Sequence, residues 1–126
     1  MTDPTPRTDL ILRVVPMPSD VNAAGDIFGG YVLSQMDIAG GIVAGERAEG
    51  RVATVAIDAM KFIRPVRVGD ILCIYGSVAR VGTTSITVAL EAWALRHGTR
   101  DRRKVTEGHF VFVALDAEGR KRRVDG

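Results

Sequence analysis

Two rhythms of apolar and polar residues run along this chain of 126 residues, and the rhythm changes near residue 50. From Ile27 to Gly45 the repeating positions fall in steps of three and four. Ile27, Tyr31, Ser34, Ile38 and Ile42 make one series, and Val32, Met36, Ala39 and Val43 a second. That spacing predicts a helix over 27–45, apolar on most sides and therefore buried. Asp26, just before the run, reads as its N-cap. Ahead of it, 10–15 (LILRVV) predicts a short strand closed by Pro16, and 16–26 is a loop dense in Pro, Ser, Asp, Asn and Gly. Beyond residue 50 the grammar is β. Strands are predicted at 52–63, 71–80, 84–96 and 105–115, the third alternating with period two from Ser85 to Ala94. The last ten residues, AEGRKRRVDG, read as a solvated tail.

A strand, a helix and four strands on short connections predict an antiparallel sheet. One apolar helix and one such sheet pack best if the sheet curls around the helix, so the fold class is α+β in a single domain over 1–126. Gly40 and Gly41 would let the strands approach that helix closely. Five strands leave edges open, and pairing two copies edge to edge would cover one, so a homodimer is expected.

Composition narrows the class. With 46% apolar and 25% charged residues the chain is no candidate for disorder. One cysteine, Cys73, excludes a disulfide framework and a Cys-rich zinc site. Residues 1–10 carry acids and prolines without an apolar run, so no secretory signal is expected and the cytoplasm is the expected compartment. The 19-residue run at 27–45 is long enough to raise a membrane span. Its five glycines with Ser34, Gln35 and Asp37 argue against one. The net charge of +2 hides a division: residues 1–63 sum to −3, and 64–126 to +5. The basic half favours an anionic small molecule. With only 6% aromatic residues to stack bases, nucleic acid is not an expected partner.

Asp37 is the odd residue, the only charge between Ile27 and Gly45. A buried carboxylate needs a partner or a polar cleft. Helical angles put Gly30, Ser34, Asp37 and Gly41 on nearly one face, a narrow floor on which a thin substrate could lie. The same stripe also fits a carboxylate paired with an arginine at a subunit interface. Gly29 and Gly30 stand where helix N–H groups lack internal partners and can hold an oxyanion, or they simply shape the corner. Asn22 can position a water or form a turn. His97 and His109 have no spaced partner, so no metal site is expected, and no serine sits in a nucleophile elbow.

These motifs carry a resemblance. The segment MPSDVNAAGDIFGGYVLSQMDIAGGIVA, with N-x-x-G-D-I-F-G-G followed by S-Q-M-D, resembles the signature of hotdog-fold acyl-CoA thioesterases of the YciA type. The likeness continues through VATVAIDAMKFIRPVRVGD, RVGTTSITVALEAW and TEGHFVFVALDAEGR, about residues 8–122. It implies a five-stranded antiparallel sheet wrapped around one long central helix, and hydrolysis of acyl-CoA to a free acid and CoA. It implies that Asp37 is catalytic, as general base or nucleophile, and that Asn22 acts across the dimer interface. The amide of Gly30 or Tyr31 would serve the oxyanion. Val55, Ala56 and Ile57, with Thr83, Thr84, Ser85 and Ile86, would touch CoA, and relatives assemble as trimers of dimers, hence hexamers. No separate cofactor is implied, CoA being part of the substrate. Arg64, Arg80 and Lys104 are candidates for its phosphates. Two other readings share the fold. A hydratase would need a histidine beside its acid, and a non-catalytic acyl-CoA binder would need no Asp37.

Overall fold

Gly29–Ala48 form the one long helix, α1, in a computed structural model that describes residues 5–126. It starts two residues later than its apolar pattern and runs three further. Phe28, not Asp26, is the N-cap, and it makes no side-chain cap bond. The backbone of Asp26 is already committed, which is why the helix cannot begin there. Its carbonyl accepts from Asn22 N–H at 2.7 Å, and its N–H donates to Asn22 Oδ1 at 3.2 Å. With Ile27 it makes β2 (Asp26–Ile27), a two-residue ladder against β4 (Val66–Arg67).

The main sheet is antiparallel throughout. Its strands are β1 (Asp9–Val14), β3 (Val52–Phe62), β5 (Asp70–Val81), β6 (Ser85–Arg96) and β7 (Arg102–Ala114), in the spatial order β1-β5-β6-β7-β3. The five strands and the wrapped helix match the expected architecture. On the helix side, Met36, Ala39 and Ala44 meet Leu72, Ile74, Val88, Leu90, Phe110 and Phe112 in one buried core. Period-two alternation along β6 supplies that face: Ile86, Val88, Leu90 and Ala92 point in, while Ser85, Thr87 and Glu91 are partly exposed.

Close approach of helix and sheet rests on Gly40 alone. A Cβ there would lie 2.8 and 2.9 Å from the Phe112 ring and 3.0 Å from Leu90 Cδ1. At Gly41 the nearest atom, Phe112 Cε2, is 3.9 Å away, an ordinary contact. The expectation that both glycines serve packing therefore holds for one of them. Gly40→Ala should cost about 1–3 kcal/mol through overpacking. Gly41→Ala should be neutral or gain up to about 1 kcal/mol of helix propensity. Urea unfolding of the two variants checks the contrast.

The charged C-terminal segment is not a free tail. Val124 is buried, and its N–H donates to the Thr83 carbonyl at 2.9 Å. The Arg122 guanidinium donates to Ala48 O at 2.6 Å and to Leu115 O at 3.1 Å, satisfying a carbonyl at the end of α1. Arg47 forms a two-pronged ion pair with Asp125, and that hydrogen-bonded guanidinium holds the carboxyl below the usual range. The last residues thus join the helix C-terminus to the β5–β6 turn.

Candidate active site

Asp37 projects from the third turn of α1 toward the sheet's edge, half-buried. Its Oδ1 accepts a hydrogen bond from Thr54 Oγ1 at 2.6 Å. No described residue bonds Oδ2. Thr54 belongs to β3, which pairs with β7 on one side only. Register shifts between Thr54 and Ala56. Without that bulge Thr54 and Ile57, three apart, would face opposite ways; with it, they oppose Phe112 and Phe110, both core residues on the helix side. Thr54 is the functional candidate that sequence reasoning missed, because a threonine in a β-rich run reads simply as a strand former. Among the described residues no arginine is bonded to Asp37, so the alternative of an arginine pair finds no support within the chain.

The helix N-terminus is partly used up. Tyr31 N–H donates to Phe28 O at 3.0 Å and is thus already bonded within its own chain. The N–H groups of Gly29 and Gly30 find no acceptor among the described residues. Ser34 Oγ donates to its own helix at Tyr31 O, 2.7 Å, so its hydroxyl is occupied.

Asn22 is first of all a turn former. Its Oδ1 accepts from the N–H groups of Ala24 at 2.9 Å and Asp26 at 3.2 Å. The side-chain amide NH2 is left over. A cleft of about 300 Å³ brings Asn22 together with Gly29, Phe62, Arg64 and the fully buried Thr106. Asp37 does not line it. Within one chain, then, Asp37 with its partner Thr54 stands apart from the cleft that holds Asn22 and Gly29, and Gly30 does not line that cleft.

The expected CoA contacts divide likewise. Val55, Ala56 and Ile57 are exposed on the β3 edge. Thr83 and Thr84 form the β5–β6 turn, their carbonyls accepting from Val124 and Ala114. Ser85, beside them, is partly exposed, whereas the Ile86 side chain is fully buried, so only its backbone could meet a ligand. Among the phosphate candidates, Arg80 is exposed and Arg64 Nη1 donates to Lys104 O. Partial burial works against the Lys104 ammonium charge. Its hydrogen bonds to the carboxylates of Glu107 and Glu91 outweigh that and hold the pKa up. His109, opposite Asp58 and Ala89, is exposed on the sheet face away from the helix, and His97 lies in a turn, so neither stands beside Asp37 within the chain, where a hydratase would need one. Among the described residues no group of His, Cys, Asp or Glu is placed to hold a metal, and no helix is long and apolar enough to cross a membrane.

This arrangement has close counterparts. A family model described as the thioesterase superfamily matches residues 24–100. The chain is 48% identical to the acyl-CoA thioester hydrolase YciA of Salmonella typhimurium over 123 residues, 95% of this chain and 92% of that one. A solved hexameric broad-specificity acyl-coenzyme A thioesterase superposes with a TM-score of 0.89 at 45% identity, covering 98% of this chain and 88% of its own. A hexameric thioesterase from Yersinia pestis gives 0.88 at 46%, covering 95% and 98%. A hexameric hotdog-fold thioesterase of Campylobacter jejuni gives 0.86 at 42%, covering 90% and 88%. A sheet wrapped on one helix, a carboxylate set within that helix's apolar run and this likeness along nearly the whole chain agree: the protein belongs to the thioesterase superfamily, as an acyl-CoA thioester hydrolase of the YciA type with a hotdog fold.

Proposed function

We propose that the protein hydrolyses acyl-CoA to a carboxylic acid and CoA at a site shared by two chains, with Asp37 as the reacting carboxylate. The observation that carries this reading is the 2.6 Å bond from Thr54 to Asp37 Oδ1. It fixes the carboxylate's rotation and leaves Oδ2 to face the thioester carbonyl or a water. As a base, Oδ2 takes a proton from water as the hydroxyl attacks the carbonyl, and the tetrahedral intermediate then breaks its C–S bond and expels the CoA thiolate. As a nucleophile, it attacks directly, expels the CoA thiolate, and the resulting anhydride is hydrolysed. Label found in Asp37 after a single turnover in ¹⁸O-water identifies an anhydride opened at the Asp37 carboxyl carbon, which the base route cannot produce. Thr54→Val should lower kcat by roughly ten- to a hundredfold, and Thr54→Ser should restore most of it.

The oxyanion must find its donors elsewhere than on the same helix. Gly30 and Asp37 are seven residues apart, a rise of about 10 Å. A two-fold partner closes the gap. Symmetric pairing of β3 edges is antiparallel. The Phe62 end of one β3, which lines the Asn22 cleft, would then lie beside the Thr54 end of the other. Asn22 and the Gly30 amide of the partner subunit would face Asp37, stabilising the oxyanion and positioning water or substrate. An oxyanion donor of this kind is typically worth about 3 kcal/mol. Exposed Ile38, Ile42, Val55 and Ile57 supply the apolar area such a dimer would bury. The hexameric relatives support three such dimers per assembly, and a single buried thiol, Cys73, suits a reducing cytoplasm.

A panel of acyl-CoAs from acetyl to palmitoyl, assayed for released thiol, tests the reading. Thiol release from one or more members is expected. Tight acyl-CoA binding without release would leave a non-catalytic binder instead.

A further inference from the structure

We propose that the Thr106 hydroxyl makes the site favour acyl groups that bear a hydroxyl of their own. The inference rests on the shared-site reading, in which the partner subunit's Asp37 faces the Asn22 cleft. Thr106 is on β7, 1% exposed, with Ala92 and Phe62 as its neighbours across the sheet. It lines that cleft of about 300 Å³ together with Ile27, Val32, Pro65 and Val66, a largely apolar wall. Asn22, Asp26 and Arg64, all less buried than Thr106, add the other polar groups.

Packing explains a β-branched side chain at this position but not its oxygen. Valine would fill the same space with no polar atom to satisfy. Among the described residues nothing bonds to the Thr106 hydroxyl. Yet no wholly enclosed polar side-chain atom among them lacks a partner. The Thr106 oxygen is therefore not sealed in, and the void it lines is the cleft. Whatever fills the cleft decides what this hydroxyl meets. A plain alkyl chain would cover it without a hydrogen bond, a costly burial. A hydroxyl on the chain would pair with it, since threonine both donates and accepts.

The acyl group is the part of the substrate that reaches this cleft. The residues expected to meet CoA lie at the Thr54 end of the sheet in the subunit that supplies Asp37. There Thr84 O accepts from Ala114 N–H, and Ala114 pairs with Val52. With CoA on that side of the carboxylate, the acyl group is left to the cleft of the other subunit, whose apolar walls suit it. A cleft of this volume stands at the small end of ligand pockets and fits a short chain.

The test measures kcat/KM for butyryl-CoA, 3-hydroxybutyryl-CoA and 4-hydroxybutyryl-CoA in the parent, Thr106→Val and Thr106→Ser. In Thr106→Val the ratio of at least one hydroxylated substrate to butyryl-CoA should fall by about tenfold or more, with butyryl-CoA unchanged or improved. Thr106→Ser, which keeps the hydroxyl, should hold the parent's ratios to within about threefold. Thr106→Ala removes the same oxygen and decides the matter if the valine variant does not fold. Unchanged ratios for both hydroxylated substrates overturn the proposal. So does an equal loss on all three, which a purely structural threonine would give. The Asp37 reading fails separately, if Asp37→Asn retains the parent's thiol release.

Discussion

Asp37→Asn is expected to reduce thioester hydrolysis by roughly a hundredfold or more. Asparagine keeps the side chain's shape and can still accept the Thr54 hydrogen bond through its carbonyl oxygen. What it loses is the charge and basicity that either route requires. CoA affinity, read by calorimetry on the folded variant, should be unchanged, because the residues expected to meet the nucleotide lie on β3 and the β5–β6 turn. The paired readout separates chemistry from binding. Activity within about threefold of the parent would remove Asp37 from the reaction.

The second large effect is a gain. Asp37→Asn and Asn22→Ala, prepared separately, should each be nearly inactive. Unfolded and refolded together, they should recover about a quarter of the native sites. Random reassortment makes half the dimers mixed. In each mixed dimer one site carries both defects and the other carries neither. The structure motivates the experiment directly, since Asn22 lines a cleft that excludes Asp37 within the chain. If both residues served one chain's site, every site would retain a defect and mixing would restore nothing. A subunit carrying an affinity tag establishes that reassortment took place.

Much of this was legible in the sequence because it depends on local periodicity. The steps of three and four gave α1, and alternation gave β6, each to within a few residues. Asp37 stood out because it is the sole charge in a long apolar run. What stayed hidden depends on partners distant in the chain. Asp26 looks like an N-cap until Arg67 is brought beside it by a ladder only two residues long. Thr54 acquires its role through a bulge and a carboxylate seventeen residues earlier. The C-terminal residues read as a solvated tail by their charge. Val124, one apolar residue among basic and acidic ones, was the available sign that the segment docks. Gly40 and Gly41 are indistinguishable as letters, and only the 2.8 Å and 3.9 Å distances to Phe112 separate them.

A subunit that pairs through β3, as proposed, carries an aggregation hazard there until the pair forms. Thr54 to Ile57 offer unpaired backbone groups and exposed apolar side chains, with no proline to blunt them. The strand holds some guards: the bulge at Val55, the charge of Asp58, and Ala59 in the left-handed region at φ +52°. These interrupt the flat edge that a stray strand would extend. Refolding yield should therefore pass through a maximum with protein concentration. Too little protein leaves edges waiting, and too much lets them find one another out of register.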